Sequence, residues 1–499
     1  MNTNSIKFKK FISDLDQAKG YFLNNINKLK SAIKIYTHLD ADGLSAGAIL
    51  GKSLYRENIP FQITVLKQLE LDQIITLSNE SEVDKDFFIF SDFGSGQYLE
   101  LQEKLKNPFM ILDHHLPQGI GNKEEKSQIE DIYKKTYRWH LNPYFYEFDG
   151  SSEISGSGMS YFFSKCLNEE NLDLSIIALI GANGDIQNKG ENKSFTGLNS
   201  IILEDAKKSN LIEIVNDINL SLIKPLNQAL AYSSEINLPG LSGDKNKTLK
   251  FIKRLGILIE KSDGSIKALM DLNQEEKQKL TSALIEYVSI KSNIEPNEII
   301  NKLIINRYLL KNEKFGSDLH DINEFSNLLN ACGRTNNASI GIAIAMGDKK
   351  NAYSQAQKKL EDYKKMLVKA LSWIKEEGKI KESEYIQYFF GEDVIPENII
   401  GTVSSMLIFD ESEHIKKNKP IFGYAKRKDE NVYKISARAH DSIIKRGVNL
   451  SEAIREALNL SDLDVLGGGH PPAAGTKVPI NKIQEFLKNC NKIIGNQLN

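Results

Sequence analysis

The chain alternates short apolar runs with longer amphipathic ones. Over residues 6–31, Phe8, Phe11, Ile12, Leu15, Phe22 and Ile26 recur at helical spacing and predict a helix. β-Branched and aromatic runs then predict strands over 32–37, 61–66, 87–90 and 109–112. Helical patterns over 43–56, 72–77 and 98–105 lie between them. Such alternation predicts an α/β fold: a mostly parallel sheet with helices on both faces. A loop follows over 117–150. Ser155 is placed to cap a helix over 159–168, and an apolar run over 175–180 leads to Gly181, Ala182, Asn183, Gly184 and Asp185. From about 205 to 315 the chain is rich in Lys, Glu and Asn, with helical periodicity over 246–261, 273–294 and 296–311. This reads as a helical insertion. Residues 353–377 predict one long amphipathic helix, a connector rather than half of a coiled coil, because a new αβ pattern follows. Strand-like runs over 385–390, 420–424 and 432–437 and a helix over 451–458 predict a smaller αβ domain. The expected boundaries are 1–330 for the first domain (core 30–200, insertion 205–315), 331–380 for the linker and its helix, and 381–499 for the last domain.

Polar residues at the strand ends add chemistry to this outline. His38, Asp40 and Asp42 alternate after the first strand, so they project together. Gly43 then allows a sharp turn into the next helix. One imidazole and two carboxylates suit a divalent cation, although a polar turn capped by aspartates is an equally good reading of this stretch alone. The third strand ends in Ser91-Asp92 and the fourth in Asp113-His114-His115, while Asp185 follows another apolar element. Ligands of open α/β sheets sit beyond the carboxyl ends of strands, so repetition at three strand ends favours a shared site. His38, Asp40, Asp42, Asp92, His114 and Asp185 are the candidate ligands. Four carboxylates held together raise one another's pKa, and two divalent cations would cancel their charge. Two such ions roughly 3.5–4 Å apart can clamp a phosphate and acidify water. Oxygen and imidazole donors suit Mn²⁺ best, with Mg²⁺ the other candidate, and fit a structural zinc site poorly.

Composition narrows the class. A chain of 499 residues is too long for one simple core. With 40% hydrophobic and 26% charged residues it is ordinary for a globular protein. A net charge of −2 excludes a bulk basic footprint, so nucleic-acid contacts must be local. The polar start and the lack of an apolar run near about 20 residues predict a cytoplasmic protein with no membrane segment. Cys166, Cys332 and Cys490 form no CxxC and read as buried thiols of a reducing compartment.

In His38-x-Asp40-x-Asp42-Gly43, Asp92, Asp113-His114-His115 and Gly184-Asp185 the chain resembles the DHH phosphoesterase superfamily. Gly467-Gly468-Gly469-His470 resembles the signature of the associated DHHA1 domain. Leu328-Leu329-Asn330-Ala331-Cys332-Gly333-Arg334 and Ser436-Ala437-Arg438 resemble the archaeal RecJ-like nucleases, including the GINS-associated nuclease. The resemblance implies one metal held by His38, Asp40 and Asp92, and another by Asp42, Asp92, His114 and Asp185, with Asp92 bridging. It implies that Asp113 orients the metal-bound imidazole, and that His115 contacts the scissile phosphate. Ser436, Arg438, Gly467, Gly468, Gly469 and His470 would bind substrate. Otherwise Gly467–His470 is a glycine-rich turn closed by Pro471-Pro472. Arg334 would either join them or brace the turn after Asn330. The implied activity is a metal-dependent exonuclease that degrades single-stranded DNA or RNA to nucleoside monophosphates in replication or repair. The alternatives are a small-molecule phosphoesterase (phosphoadenosine-phosphate phosphatase, oligoribonuclease or cyclic-dinucleotide phosphodiesterase) and a non-catalytic replisome subunit, a branch that has lost its metal ligands. The implied partners are the nucleic-acid strand and GINS. The insertion's apolar stripes must be buried somewhere, against the catalytic domain or against such a partner.

Overall fold

The structure, a computed structural model, describes residues 5–27, 32–82, 85–118, 140–233, 238–292, 295–376, 378–408, 414–427, 430–465 and 467–498. The chain divides into two compact units, Met1–Leu360 and Glu361–Asn499. Among the described residues no helix is long and apolar enough to cross a membrane.

The first unit is built on a five-stranded sheet: β1 Ile33–His38, β2 Phe61–Leu66, β3 Phe87–Ser91, β4 Phe109–Leu112 and β5 His140–Leu141. Its order is β2-β1-β3-β4-β5 and every pairing is parallel. β3 and β4 are buried at every position, as a sheet covered on both faces requires. β5 lies in the stretch expected to be loop, most of which, 119–139, is outside the described residues. The register positions the site. Thr37 pairs with Ser91 and Ser91 with Leu112, so His38, Asp92 and Asp113 leave the same end of three adjacent strands. The strand order reverses between β1 and β3, which makes this end a topological switch point. The helices Ala41–Arg56, Gly156–Leu167 and Ser175–Gly184 follow.

The insertion differs from the expectation of a purely helical segment. It opens with β6 Ile212–Ile218 and closes with β7 Ile304–Leu310, an antiparallel ribbon. The helix expected over 296–311 stops at Leu303. The run from Ile304 to Leu310 is β-branched and aromatic, and its apolar residues fit a strand as well as a helix. Between the strands, Lys245–Arg254, Gln274–Ser292 and Pro296–Leu303 pack on a core that includes Ile218, Leu226, Leu230, Ile252, Leu280, Leu284 and Leu303. The buried Arg307 ties the ribbon to the next helix, Ile322–Arg334. It pairs with Asp321 and donates to the Ile218 and Leu220 carbonyls, both at 2.7 Å.

The second unit carries a six-stranded sheet: β8 Lys381–Glu382, β9 Gln387–Phe390, β10 Ile421–Lys426, β11 Val432–Arg438, β12 Gly467–His470 and β13 Ala473–Pro479. The order is β12-β13-β11-β10-β9-β8, and β9 with β10 is its parallel pair. The helices Leu450–Leu460 and Ile483–Leu498 complete its core. The Gly467–His470 stretch is the edge strand of this sheet, and the turn is made by Pro471-Pro472.

Candidate metal centre

β1 leaves the sheet at His38, and Asp40 caps the helix Ala41–Arg56 by accepting the Gly43 N–H at 3.1 Å. Behind this turn stands the helix Ile322–Arg334. Asn330 Oδ1 accepts the Ala41 N–H at 2.9 Å. Gly333 packs so closely that a Cβ there would lie 1.6 Å from the Leu39 carbonyl oxygen. The Leu328–Arg334 motif is thus the brace of the first ligand turn.

Asp42 sits in the first turn of its helix and points at the start of another. Its carboxylate accepts the Gly156 N–H at 2.7 Å, the Ser157 N–H at 3.0 Å and the Ser157 hydroxyl at 2.5 Å. A helix N-terminus is a natural seat for a carboxylate. Asp92 follows β3 with φ of 61°, a left-handed conformation that aspartate tolerates. Asp185 caps the end of Ser175–Gly184 and accepts from Gln187 Nε2 at 3.1 Å. His114 is held by the Gly150 carbonyl, 2.6 Å from its Nδ1, which turns Nε2 toward the acids.

These groups converge. His38 Nδ1 lies 2.9 Å from Asp40 and 3.6 Å from Asp92. His114 Nε2 lies 3.2 Å from Asp92, 3.7 Å from Asp42 and 3.7 Å from Asp185. Donor atoms lie within 4.8 Å of one another in each of three sets: His38, Asp40 and Asp92; Asp42, His114 and Asp185; and Asp92, Asp113, His114 and His115. Any of these sets could hold a cation.

The electrostatics test that fit. Burial, with repulsion from Asp42 and Asp40, pushes the Asp92 carboxyl up to about 7. Among the described residues neither of its buried oxygens has a donor in hydrogen-bonding geometry, although His114 Nε2 stands close. Burial and the same neighbouring acids raise Asp185. Burial opposes protonation of His38, but Asp40 and Asp92 outweigh it and push the imidazole up to about 10. His114 is likewise raised, against burial, by Asp92, Asp185 and Asp42. A buried Asp92 whose oxygens lack well-placed donors, set among acids that repel it, fits divalent cations, which satisfy and neutralise these carboxylates together.

Asp113 has a different partner from the one expected. Its carboxylate accepts the backbone N–H groups of Ser95, His114 and His115 at 2.9, 2.8 and 3.2 Å. It pairs with His115 Nδ1 at 2.8 Å, whereas the His114 ring is oriented by Gly150. Side chains of adjacent residues diverge on leaving a strand, so the acid reaches the ring two positions on. Burial lowers His115, yet Asp113 raises it on balance. Asn142 Nδ2 donates to the His115 carbonyl at 2.8 Å and to Ser95 Oγ at 2.9 Å, which fixes the turn.

Sequence reasoning missed Gly156, Ser157, Gly150, Gln187 and Asn142. Ser155-Gly156-Ser157-Gly158 was legible as a helix start, and its small residues were the available sign of a close approach. A Cβ at Gly156 would stand 2.7 Å from Asp92 Cβ. Ser436, Arg438, Gly467, Gly468, Gly469 and His470 belong to the second unit, apart from this cluster in sequence and in core. Arg438 Nε donates to Ser405 Oγ at 2.7 Å and Nη1 to the Ala437 carbonyl at 2.8 Å. Gly469 in β12 has φ of 137°. Arg334 ends the bracing helix, and its charge is one of those that lower Asp40 against burial, after His38.

The chain matches the DHH-CID domain over residues 222–304 and the DHHA1 domain over 385–496. It is 34% identical over 470 residues to the uncharacterized protein MJ0831 of Methanocaldococcus jannaschii, covering 93% of this chain and 94% of that one. Its fold is similar to RecJ in complex with Mn²⁺ from Thermus thermophilus, with a TM-score of 0.53 and 16% identity. That match covers 97% of this chain and 55% of RecJ, so the chain spans about half the length of that protein. CDC45 from Entamoeba histolytica is similar too, with a TM-score of 0.64, 14% identity and coverage of 96% and 98%.

Proposed function

Because this chain belongs to the DHH superfamily, we propose that it is a RecJ-like two-metal phosphodiesterase, an exonuclease that degrades single-stranded DNA or RNA to nucleoside monophosphates. The observation that carries this reading is the buried cluster around Asp92, whose two oxygens lack well-placed donors among the described residues and face His38 and His114. His38, Asp40 and Asp92 would hold one divalent cation, and Asp42, Asp92, His114 and Asp185 the other. Bound there, the ions supply charge neutralisation, Lewis-acid polarisation of a phosphoryl group and acidified water. The protein's own part is positioning. Gly156 and Ser157 fix Asp42, leaving its Oδ2 turned toward His114. Gly150 fixes the His114 ring. Asp113 favours the charged form of His115 while the imidazole remains partly exposed, so that it can contact the scissile phosphate and protonate the leaving oxygen. A DHHA1 unit and a separate insertion favour a strand over a small phosphoester. Mn²⁺ is the expected ion because hard carboxylates are mixed with imidazoles.

A non-catalytic replisome subunit is the competing reading, since the CDC45 fold is also similar. The complete acidic and imidazole set argues for chemistry. End-labelled DNA and RNA strands incubated with Mn²⁺, with Mg²⁺ and with chelator decide between them. Release of mononucleotides that needs the ion is expected. Intact strands under all three conditions would exclude the nuclease.

A further inference from the structure

Ile186 stands where folding alone does not favour it. After the helix Ser175–Gly184, the Ile186 N–H donates to the Asn183 carbonyl at 3.1 Å and the Gln187 N–H to the Ala182 carbonyl at 2.9 Å. These two bonds close the helix in the arrangement whose residue after the cap is left-handed and is usually glycine. Here φ at Ile186 is 56°. A β-branched side chain in that region is strained. Packing does not offset the strain, because Ile186 is 63% exposed.

Its surroundings are the metal cluster. Asp185 precedes it, and the buried Gln187 follows, holding Asp185 Oδ2 and the Gly150 carbonyl. That carbonyl also faces His114 Nδ1, so the turns bearing Ile186 and His114 are tied through one acceptor. On the second turn Leu116, next after His115, is 44% exposed. Two apolar side chains therefore stand open to solvent beside an otherwise charged site.

We propose that Ile186, with Leu116 on the neighbouring turn, forms an apolar rim against which the base or sugar of the reacting nucleotide packs. The rim gives the site its preference for nucleoside phosphodiesters over simple ones. This rests on the phosphodiesterase reading above. Apolar contact with a base face is tolerant of sequence, as a strand-degrading enzyme needs, and the cluster leaves recognition of the phosphate to charge.

The test compares two chromogenic esters with the Mn²⁺-loaded full-length protein: thymidine 5′-(p-nitrophenyl phosphate), which carries a nucleoside, and methyl p-nitrophenyl phosphate, which does not. Ile186→Gly relieves the backbone strain, and Ile186→Asn keeps a side chain that accepts the left-handed region but is polar. For both variants the ratio of kcat/KM on the nucleoside ester to that on the methyl ester falls about tenfold, through KM, while Ile186→Gly melts no lower than wild type. An unchanged ratio, with both esters slowed alike or neither slowed, overturns the rim and leaves Ile186 a positioning residue for Asp185 at most. A wild-type protein that degrades strands but cleaves neither ester overturns the rim alone, and one that cleaves neither esters nor strands overturns the phosphodiesterase reading with it.

Discussion

Asp92 is buried, and among the described residues neither of its oxygens has a donor in hydrogen-bonding geometry. As the proposed bridge it would serve both ions, so Asp92→Asn, which keeps the shape and removes the charge, is expected to lower activity by more than about 100-fold. Calorimetric titration with Mn²⁺ should show loss of the two-ion stoichiometry, and an unaltered titration would remove Asp92 from the centre. The same residue fixes a pH response. The metal-free fold holds the Asp92 proton up to about 7 and the His38 proton up to about 10. Both groups bind protons more tightly folded than unfolded, so their stabilisation is present at low pH and is lost as pH rises through those values. The melting temperature of chelated protein should fall from about pH 5 to about pH 8, and added Mn²⁺ should reverse the trend because it binds the deprotonated forms, the Asp92 carboxylate and the neutral His38 imidazole. Close packing gives a further handle. A Cβ at Gly181 would lie 2.2 Å from Ser157 Oγ and 2.6 Å from Asp42 Oδ1. Gly181→Ala should therefore displace Asp42 and cost about 1–3 kcal/mol of stability, read by denaturant unfolding, with weaker Mn²⁺ binding. At this scale His38, Asp40, Asp42, Asp92, Asp113 and His114 were legible because strand ends are local signals, although β1 stops at His38 and Asp42 lies in the helix that follows, not on an extended run. Ser157 was not, because its partner Asp42 is 115 positions away and only the packed helix brings them together.

Elements with strong periodicity were legible as well. β2 and β4 fall where the apolar runs place them, and the helix Gly156–Leu167 starts from Ser155, whose hydroxyl accepts the Gly158 N–H. Legibility failed where two periods fit one run. Ile304–Leu310 is a strand because β6 is there to pair with it, and local sequence carries no sign of that partner. Gly467–His470 shows the same limit. Its glycines suggest a turn, yet antiparallel pairing from Gly467 with Thr476 to His470 with Ala473 makes it an edge strand. Glycine at an edge lets another backbone approach closely, which fits a surface that tracks a strand. His470→Ala and Arg438→Ala should accordingly weaken binding of long oligonucleotides more than they slow cleavage of a dinucleotide, as nitrocellulose-filter binding and product analysis would show. Equal loss on both substrates would move these residues into the chemistry or point to damage in the fold.

For the molecule as a whole, the alternation of strands and helices made the α/β class and its parallel sheet legible, while the independence of the insertion was not. Its apolar stripes meet one another: Leu226, Leu230, Ile252, Leu280, Leu284 and Leu303 share a core within it. The stripes are therefore spent, among the described residues, mainly on this core. Among the described residues the insertion leaves Tyr232, Leu258, Ile290, Ile300 and Phe315 exposed, of which Leu258 at 71% and Ile290 at 72% are the most open. A near-neutral protein gains little from electrostatic attraction to a strand, so delivery by a partner would suit it, and the GINS complex, which the sequence resemblance implies, is the partner to test. Deleting 205–315 would be a poor test, because it removes Arg307 and leaves the buried Asp321 without its cation. Leu258→Glu with Ile290→Glu keeps the core and the ribbon. Light scattering of the intact protein with GINS should detect a complex, and the double variant, unchanged in melting temperature and Mn²⁺ binding, should lose it. If the double variant binds as well as wild type, Leu258 and Ile290 are not the docking surface. If the intact protein does not bind, delivery by GINS is excluded while the proposed nuclease activity stands on its own assay.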